Sequence, residues 1–589
     1  MDILKDKVSK SAYKNINLWL TDQKYAEYRS ELGQMIQDEK WQELEDSFFK
    51  VIEFGTAGRR GTTGIGSNRI NRVTIGESTQ ALCSYALSFD PEAGKKGLVI
   101  AYDTRLTSPE LSRYTACVAA ANGFKVYIFE NFRATPELSF AVRHLGCAVG
   151  VVVSASHNPP ADNGFKAYWS DGGQVASPHD KGILEEATRI SEIKALPDFD
   201  QAVQDGLIEV VGEKIDEAYL ANTVAQSVGE KRSVKIVYSP LHGAGQTNAL
   251  PTLQKAGFND IVTVEEQMVP DGNFPTVPGG KANPEEIPAN KMAVDLLLET
   301  GADIAITNDP DADRIGVIDN HHGEPYYLSG NQSASLAADY ILQQMKAMGE
   351  LTTDHFLVKT IVTTDLLNAI ASKYSVKIYD NLLVGFKYIA EVIRNRQAVG
   401  EKFIMGAEES FGLLKGDYAR DKDGATGALP LAELAAELKV ENKTLTDRLF
   451  ELYREHGVYF EKIKPIEYPG AEGFKTMTKI LDSLRQNSPS EIGGEQVSAT
   501  LDYVTQTKRL ATGETEVIDC ATGNVLVFEF GDRRKRITIR PSGTEPKIKM
   551  YFQWYSETDN PEQTYGDLSQ KIEKIYEDFS DLALSRANS

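Results

Sequence analysis

The feature that most constrains this fold is an alternation of short β-branched segments with longer helix-like segments. Such alternation is typical of βαβ units, which build mostly parallel sheets covered by helices on both faces. The pattern occurs three times, so the sequence predicts three similar mixed α/β domains. The short segments lie at 98–102, 125–129 and 148–153, then at 234–238, 260–264 and 302–307, and then at 355–359, 376–379 and 402–405.

The two ends of the chain differ from this repeat. The first fifty residues combine good helix formers with apolar residues at three- to four-residue spacing, which predicts helix. Apolar and polar residues alternate at 524–556, as in antiparallel strands, and a helix-like segment follows. Because 589 residues exceed what one core can hold, we expect several domains. The predicted divisions are an N-terminal helical region with the first α/β domain at 1–228, further α/β domains at 229–350 and 351–468, and a smaller α+β domain at 469–589.

Charge and composition exclude several classes of protein. The formal net charge of −22 opposes non-specific binding to nucleic acid or to anionic lipid. The N-terminus lacks the apolar stretch of a signal peptide, and no uncharged segment reaches the roughly 18 residues of a membrane span. We therefore expect a cytoplasmic protein that binds neither nucleic acid nor membranes. Its cysteines lack C-x-x-C spacing and are predicted to be free structural thiols: Cys83, Cys117, Cys147 and Cys520.

In each of the three sets, the third predicted strand continues into a polar loop. These loops are SASHNP at 154–159, NDPDADR at 308–314 and AEES at 407–410. Ligands of α/β sheets gather beyond the carboxyl ends of the strands. The three loops could therefore converge on one shared, central cleft.

The second loop predicts a metal site. Asp309, Asp311 and Asp313 are spaced by two residues after an apolar segment. Carboxylates this close repel one another unless a cation neutralises them, and oxygen ligands suit Mg²⁺ or Ca²⁺. The spacing does not continue as an EF-hand, because Arg314 and the apolar run IGVI follow at once. A solvated acidic turn is the alternative.

The first loop contains a candidate nucleophile. Ser156 lies beside His157, and Lys166 follows ten residues later, so either group could transfer protons for the serine. Read alone, the segment is equally compatible with a flexible loop and an Asn-Pro turn. The neighbouring metal loop favours phosphoryl transfer to a hydroxyl, which requires a metal, cationic groups and positioning.

Two further segments have the composition of phosphate-binding loops. FGTAGRRG at 54–61 and RPSGTEPK at 540–547 combine arginine with glycine and hydroxyl residues. Glycine lets backbone N–H groups approach a phosphate closely, and arginine donates bidentate hydrogen bonds to it. A solvated turn and a β-hairpin turn are the respective alternatives. The candidate phosphate-binding residues are Thr56 and Arg60 in the first segment, and Arg540, Ser542, Gly543 and Thr544 in the second.

The third loop could bind a sugar. Glu408 and Ser410 place a carboxylate near a hydroxyl, a pair that matches the hydroxyl groups of a diol. A solvated loop is the alternative for this acidic segment. Lys387, in LLVGFKY, could likewise be either a surface residue or a functional one.

Taken together and in this order, the motifs resemble those of the α-D-phosphohexomutase superfamily, the phosphoglucomutase/phosphomannomutase family, along nearly the whole chain after residue 50. Pro310, the phrase YSPLHGAG at 238–245 and the length of 589 residues are most similar to the phosphoglucomutase-2/phosphopentomutase branch. Arg59 stands where leucine is frequent in the family, Ser154 where threonine is usual and Ala407 where glycine is usual.

The resemblance implies three mixed α/β domains and a smaller C-terminal α+β domain around a central cleft. It also implies a role for each candidate residue. Ser156 would carry a phosphoryl group, Lys387 and Lys166 would transfer protons, and His157 and Arg60 would support the transferring group. Ser156 and the three aspartates, Asp309, Asp311 and Asp313, would bind Mg²⁺. The substrate would be held by Thr56, Arg314, Glu408, Ser410, Arg540, Ser542, Gly543 and Thr544.

The activity implied by the resemblance is that of a phosphoglucomutase. Glucose 1-phosphate and glucose 6-phosphate would interconvert through glucose 1,6-bisphosphate, which also serves as activator, and a mobile fourth domain would let this intermediate turn over. A phosphomannomutase, a phosphopentomutase and a glucose 1,6-bisphosphate synthase are alternatives, and a non-catalytic sugar-phosphate sensor is a further one. Small-molecule sugar phosphates would be the partners, and the protein would be a monomer or a weak homo-oligomer.

Overall fold

The computed structural model describes residues 2–53, 58–468, 471–541 and 547–588, without the side chains of residues 2, 3, 471, 472, 474 and 588. The chain forms two compact units. The first unit comprises the described residues of 1–227, 232–318 and 412–432, and the second comprises those of 228–231, 319–411 and 433–589. Cys83, Cys117, Cys147 and Cys520 are free thiols, as predicted.

Helices and strands alternate along most of the chain. The helices are α1 (Asp2–Lys5), α2 (Lys10–Thr21), α3 (Arg29–Gln37), α4 (Trp41–Phe48), α5 (Arg72–Phe89), α6 (Ala93–Lys96), α7 (Ser108–Ala121), α8 (Thr135–Leu145), α9 (His179–Arg189), α10 (Phe199–Gln204), α11 (Glu213–Val224), α12 (Ala249–Lys255), α13 (Glu265–Met268), α14 (Lys291–Thr300), α15 (Gly330–Ala347), α16 (Leu366–Lys373), α17 (Phe386–Gln397), α18 (Gly424–Val440), α19 (Leu445–His456), α20 (Ala471–Gln486) and α21 (Pro561–Asn588). Short 3₁₀ helices lie at Gln23–Tyr28, Ala244–Thr247, Pro278–Gly280 and Ile287–Asn290.

The strands are β1 (Gly58–Thr62), β2 (Leu98–Tyr102), β3 (Val126–Phe129), β4 (Val149–Val153), β5 (Asp162–Trp169), β6 (Ile208–Val211), β7 (Ile236–Ser239), β8 (Ile261–Thr263), β9 (Ile304–Asn308), β10 (Ile315–His321), β11 (Glu324–Leu328), β12 (His355–Lys359), β13 (Lys377–Tyr379), β14 (Lys402–Glu408), β15 (Gly412–Lys415), β16 (Val458–Glu467), β17 (Glu491–Ile492), β18 (Glu495–Gln496), β19 (Ala499–Asp502), β20 (Thr507–Leu510), β21 (Thr515–Val517), β22 (Leu526–Phe530), β23 (Asp532–Pro541) and β24 (Lys547–Ser556).

The largest sheet of the first unit has the strand order β1-β5-β4-β2-β3-β6. β4, β2, β3 and β6 run parallel, whereas β5 is antiparallel to β4 and β1 is antiparallel to β5. Every residue of β2 and β4 is buried, because α7 packs against β2 and α8 packs against both strands. Strands covered in this way are uniformly apolar, which is the pattern that the sequence shows.

A second parallel group in the first unit has the order β8-β7-β9. The amphipathic helix α14 packs against β7 and β9 and is capped at its C-terminus by Gly301, whose φ of 58° is left-handed. Glycine adopts that conformation without the steric cost of a side chain, so the chain can reverse there into β9. The acidic loop follows directly at the carboxyl end of β9, which is fully buried.

The N-terminal segment is helical as predicted, but it is divided into α2, a 3₁₀ turn, α3 and α4. Ser9 and Asp22 cap two of these segments with their side chains, since each accepts a hydrogen bond from a backbone N–H of the first turn. These helices bury their own cluster of apolar side chains, in which Trp19 stacks on Tyr25 with ring centroids 4.5 Å apart.

Arg59 connects the N-terminal helices to the first sheet. Its guanidinium donates to Glu77 on α5 at 3.0 Å, and Glu77 also accepts a hydrogen bond from Lys24 at 2.5 Å. The arginine that stands where leucine is frequent in the family therefore completes a largely buried ion triad. The sequence predicts a loop at 54–61, and this is wrong for Gly58–Gly61, which lie in β1. The antiparallel pairing with β5 makes this segment a strand, because it satisfies the backbone groups of β1 that face β5.

The second unit contains a parallel group in which β12 lies between β13 and β14. It also contains an antiparallel sheet with the order β16-β24-β23-β22-β19-β20-β21, against which α20 and α21 pack. Antiparallel strands followed by a helix match the prediction of a C-terminal α+β domain. None of the helices in the described part of the chain combines the length and the apolar character that crossing a lipid bilayer requires.

A buried ionic network joins β12 to the antiparallel sheet within the second unit. Asp365 accepts hydrogen bonds from Lys359 at 2.8 Å and from Arg536 at 3.2 Å. Arg536 also donates to the Ile361 carbonyl at 2.8 Å. Burial alone would raise the pKa of Asp365, but Lys359 and Arg536 hold this pKa well below its ordinary value. The carboxylate is thus the common partner of two buried cations.

We expect Asp365→Asn to lower the free energy of unfolding of this unit by about 3–5 kcal/mol, because it leaves two buried cations without their counter-charge. Denaturant unfolding followed by tryptophan fluorescence and circular dichroism measures the change. The control is Asp354→Asn, which removes an exposed ion pair with Lys402 and should leave the free energy of unfolding nearly unchanged. Equal losses in the two variants would contradict a special role for the buried network.

Candidate active site

Ser156 lies at the centre of the polar loop that follows β4. Its Oγ donates a hydrogen bond to Oδ2 of Asp309 at 2.6 Å, and Nδ1 of His157 lies 3.2 Å from the same Oγ. The serine is buried and its φ of 54° is left-handed, a conformation that costs free energy for a residue with a side chain. Strain of this kind is found at functional sites, where the surrounding structure holds the residue in place.

Arg105, in the loop after β2, holds the backbone of the serine loop. Its guanidinium donates to the carbonyls of Ser156 at 2.6 Å and Asn158 at 2.5 Å. It also donates to the carbonyls of Pro159 at 2.7 Å and Asp162 at 2.8 Å. The five donors of a guanidinium lie in one rigid plane, so a single buried side chain fixes four carbonyls.

Asp103 completes this support from the same loop. Its Oδ2 accepts hydrogen bonds from Nε of Arg105 at 3.1 Å and from Oγ of Ser154 at 2.6 Å. Ser154 Oγ in turn accepts from the backbone N–H of Ser156 at 2.8 Å. Burial raises the pKa of Asp103 despite the opposing effect of Arg105. Asp103 and Arg105 are not among the predicted site residues, although they follow the predicted strand at 98–102 just as the three predicted loops follow theirs.

The three aspartates of the second loop are buried and close together. One carboxylate oxygen from each of Asp309, Asp311 and Asp313 lies within 4.8 Å of the others. Ala312, between the last two, has a left-handed φ of 51°, which lets the short loop turn both carboxylates to one side. The spacing of two residues in the sequence therefore becomes a compact acidic triad.

Burial and neighbouring charges shift the pKa values of Asp309 and Asp311 in opposite directions. Burial raises the pKa of Asp309 well above its ordinary value, and Asp311 and Asp313 raise it further. Asp311 is also buried, but Lys166, 2.5 Å away, holds its pKa well below the ordinary value. Three adjacent buried carboxylates without a cation therefore favour protonation of one member.

The donor set fits a hard divalent cation. Oδ1 of Asp311 and Oδ1 of Asp313 are buried and have no hydrogen-bond partner among the described residues. Buried carboxylate oxygens that lack a donor are strongly unfavourable, and a metal ion satisfies them. Oxygen-only ligands suit Mg²⁺ or Ca²⁺ better than zinc or copper. The predicted metal residues are thus brought together in a form that could hold an ion.

Lys166 and Arg60 reach this region from adjacent strands. In the antiparallel pairing of β1 with β5, Gly58 lies opposite Lys166 and Arg60 lies opposite Gly164. Residues two apart on a strand share one face of the sheet, so Arg60 and Lys166 lie on the same face. Arg60 donates to Asn158 of the serine loop at 3.4 Å, and burial lowers its pKa. Arg314 donates to Glu285 at 2.6 Å, and its backbone N–H donates to Asp309 at 3.1 Å.

Lys422 is a second lysine at the triad that sequence analysis did not identify. Its Nζ donates to Asp313 at 2.7 Å. The segment around it, RDKD at 420–423, has the composition of a solvated loop, yet all four residues are buried. Tyr168 donates to Asp421 at 2.7 Å and Tyr219 donates to Asp423 at 2.6 Å, so tyrosines of the first unit hold the segment. Only these tertiary contacts make the charged run part of the site.

Burial raises the pKa of Asp423 to about 6, although the two tyrosine hydroxyls that bond to it, Tyr219 and Tyr418, act in the opposite direction. Asp423 also accepts the backbone N–H of Ala425 at 2.8 Å, at the start of α18. This carboxyl therefore fixes the end of the segment that carries Lys422, and it does so through neutral partners rather than through an ion pair.

The remaining predicted site residues that the structure describes belong to the second unit. Glu408 is the last residue of β14, and Ser410 follows it. Glu409 lies between them and accepts a long hydrogen bond of 3.5 Å from Thr360. Lys387 is buried in the first turn of α17, and its Nζ lies 5.0 Å from the ring centroid of Tyr388. Glu408 and Lys387 are thus buried residues rather than the solvent-exposed alternatives considered from the sequence.

The backbone of α15 packs closely against the loop that carries Ser410. A Cβ at Gly330 would lie 2.2 Å from the Glu409 carbonyl oxygen and 2.6 Å from the backbone nitrogen of Phe411, so any other residue would displace the loop. Phe411 has a left-handed φ of 64°. Arg540 lies near the end of β23, opposite Lys549 of β24. Four predicted phosphate-binding residues lie outside the described residues: Thr56, Ser542, Gly543 and Thr544.

Three family models match this chain. They are described as phosphoglucomutase/phosphomannomutase α/β/α domain I at residues 51–194, domain II at 217–323 and domain III at 329–456. Together they cover more than half of the sequence. These matches confirm the prediction of three α/β domains, and the C-terminal antiparallel sheet with its helix follows them.

Full-length relatives are also similar to this chain. A phosphoglucomutase of Staphylococcus aureus (strain bovine RF122 / ET3-1) is 35% identical over 538 residues, which cover 90% of this chain and 93% of the relative. A phosphoglucomutase of Staphylococcus haemolyticus is 33% identical over 536 residues, with 90% and 94% coverage. The solved structure of a phosphoglucomutase/phosphomannomutase family protein from Burkholderia thailandensis covers 92% of this chain and 98% of its own, with 18% identity and a TM-score of 0.63. At that identity the structure supports the fold alone.

Replacing Arg105 by lysine should loosen the serine loop without removing the charge. A lysine cannot reach four carbonyls, and each lost charge-assisted bond contributes about 1.5–3 kcal/mol. We therefore expect the backbone amides of 156–162 to exchange hydrogen at least about tenfold faster in Arg105→Lys, as measured by mass spectrometry. The exposed Arg189→Lys is the matched control. Unchanged exchange in Arg105→Lys would show that other contacts hold the loop.

Proposed function

Because the chain belongs to the phosphoglucomutase/phosphomannomutase family, we propose that it interconverts glucose 1-phosphate and glucose 6-phosphate through a phosphorylated Ser156. The observation that carries this proposal is the position of the serine hydroxyl, 2.6 Å from a carboxylate of the buried acidic triad. A hydroxyl held against a metal-type donor set has little use in binding alone, whereas phosphoryl transfer requires this combination.

We propose Mg²⁺ as the ion of the triad, held by Asp309, Asp311 and Asp313 together with the phosphorylated Ser156. A phosphoryl group brings roughly −1.5 to −2 charges to a place that already has three carboxyls. Lys166 and Lys422 offset part of this charge through their contacts with Asp311 and Asp313. When bound, the metal ion neutralises the charge that the phosphoryl group spreads over its oxygens during transfer.

Two oxygen atoms exchange protons in this proposal. The sugar hydroxyl that attacks the phosphoserine loses a proton, and the Ser156 Oγ that leaves gains one. Lys166 and Lys387 are our candidates for the sugar hydroxyl, since both are buried lysines. Nδ1 of His157, 3.2 Å from Oγ, is within reach of the serine proton. In the second half of the reaction the same groups act in the reverse sense.

The remaining predicted residues serve the sugar and the second phosphate in this proposal. Transfer to the free hydroxyl forms glucose 1,6-bisphosphate, which must turn around before the other phosphoryl group returns to Ser156. Glu408 and Ser410 would bind sugar hydroxyls, and Arg314 and Arg540 would bind phosphate. Thr56, Ser542, Gly543 and Thr544 keep the phosphate-binding role that the family motifs imply. Glucose 1,6-bisphosphate would also act as activator, because it phosphorylates a serine that has lost its phosphoryl group.

We expect Ser156→Ala to lower kcat by at least about 10³-fold, because the variant lacks the oxygen that carries the phosphoryl group. The assay is conversion of glucose 1-phosphate with Mg²⁺ and a trace of glucose 1,6-bisphosphate. Intact-mass spectrometry should show one added phosphoryl group on the wild-type protein after incubation with the bisphosphate, and none on the variant. The control is Ser88→Ala, which alters an exposed serine of α5. Full activity in Ser156→Ala would overturn the mechanism.

Side-by-side assays distinguish glucose from other sugars. We expect glucose 1-phosphate to give a larger kcat/KM than mannose 1-phosphate or ribose 1-phosphate. A preference for mannose or ribose phosphate would keep the phosphoserine mechanism but replace the proposed substrate. Net accumulation of glucose 1,6-bisphosphate from a separate phosphoryl donor would indicate a synthase instead of a mutase.

Chelation should abolish activity, and Mg²⁺ should restore it, because the triad then lacks the cation that neutralises the phosphoryl group. Asp311→Asn should raise the Mg²⁺ concentration needed for half-maximal activity by at least about tenfold, since it removes one of few charged ligands. Asp295→Asn, which changes an exposed carboxylate on α14, is the control. Activity that survives exhaustive chelation would contradict the metal requirement.

A further inference from the structure

A second group of metal-ligating side chains lies in the second unit, at the turn between β10 and β11. His321 ends β10 and His322 follows it in the turn, while Asp447 lies in the first turn of α19. One ligand atom from each of the three residues lies within 4.8 Å of the others. The chain has eight histidines in all, so two adjacent ones beside a carboxylate form a distinctive local chemistry.

The two imidazoles and the carboxylate are held close together. Nε2 of His322 lies 3.3 Å from Oδ2 of Asp447. The ring centroids of His321 and His322 are 4.5 Å apart and tilted by 52°. Two ligands of a tetrahedral zinc ion, each about 2.0–2.2 Å from the metal, lie roughly 3.3 Å from each other. The His322–Asp447 pair already has this spacing.

The contacts around His321 resemble the support of a metal-binding histidine. Its Nδ1 lies 2.9 Å from Oγ1 of Thr444. The same hydroxyl accepts the backbone N–H of Asp447 at 3.3 Å. When Nδ1 carries the hydrogen of the first contact, the lone pair of the ring is on Nε2, where a metal can bind. Histidine ligands in metalloproteins are oriented by hydrogen bonds of this kind on the opposite ring nitrogen.

Charge also favours a cation at this place. The N-terminus of α19 is positively polarised, which by itself opposes a metal ion. Asp319 and Asp447 offset this effect, because Asp319 accepts the backbone N–H groups of Leu445 and Thr446 and Asp447 accepts that of Thr444. The exposed His322 leaves a path from solvent to this cluster.

We propose that His321, His322 and Asp447 form a second metal site, which binds Zn²⁺. Two imidazoles and one carboxylate are a ligand set that zinc accepts, whereas Mg²⁺ prefers oxygen ligands, so this site and the acidic triad select different ions. A bound ion would link the β10–β11 turn to α19, which are more than one hundred residues apart in the sequence. It would stabilise the second unit, because a ligand that binds only the folded protein favours folding.

Calorimetric titration of the untagged, metal-stripped full-length protein with Zn²⁺ tests this site. Excess Mg²⁺ and the Asp311→Asn background keep zinc from the acidic triad. We expect one Zn²⁺ per chain, and an affinity at least about tenfold lower in His322→Asn or Asp447→Asn. Zn²⁺ should also raise the midpoint of thermal unfolding of the parent protein and not that of His322→Asn.

The control is His144→Asn, which removes an exposed histidine of α8 and should leave zinc binding unchanged. Co²⁺ provides a second readout, because its visible absorption distinguishes a tetrahedral site from a hydrated surface ion. Equal zinc affinity in the parent protein and in His322→Asn would overturn the proposal. An equal loss of affinity in His144→Asn would do the same, because it would show that zinc binds histidines without a defined site.

Discussion

Three carboxylates brought within 4.8 Å of one another in a buried loop are the constraint on which the first unit depends. At an effective dielectric constant near 20, unit charges at this distance repel by about 3–4 kcal/mol per pair. The protein offsets this cost with Lys166 on β5, which bonds to Asp311 and more weakly to Asp313, and with Lys422 before α18, which bonds to Asp313. A cation would stabilise the triad most at the carboxylate oxygens that have no hydrogen-bond donor.

A separate set of buried residues holds the loop that contains Ser156. Arg105 binds four carbonyls of the serine loop, and Asp103 fixes both Arg105 and Ser154. These contacts hold Ser156 in a left-handed conformation that a free loop would leave. The Ser156 hydroxyl is thus oriented by buried side chains that follow a different strand. Rigid support of this kind keeps reacting groups within the small tolerances that phosphoryl transfer demands.

The second unit uses the same principle with other residues. Asp365 binds Lys359 at the end of β12 and Arg536 on β23, so the parallel strands and the C-terminal antiparallel sheet share one buried ionic network. Asp319 and Thr444 organise the start of α19 in a similar way, through backbone N–H groups and a hydroxyl. In both units, buried polar groups have several partners each, which fixes geometry more firmly than isolated pairs.

The sequence by itself determined the α/β repeats, the C-terminal sheet and the acidic and serine loops, because strand periodicity and the spacing of polar residues at strand ends are local properties. It did not identify Arg105, Asp103 or Lys422, and it interpreted the strand β1 as a loop. Those outcomes depend on partners distant in the sequence: β5 pairs with β1, the serine loop bonds to Arg105, and Tyr168 and Tyr219 bury the charged run at 420–423. Only the tertiary structure decides such partners, since a charged residue is buried when the folded chain supplies its counter-charge and hydrogen bonds.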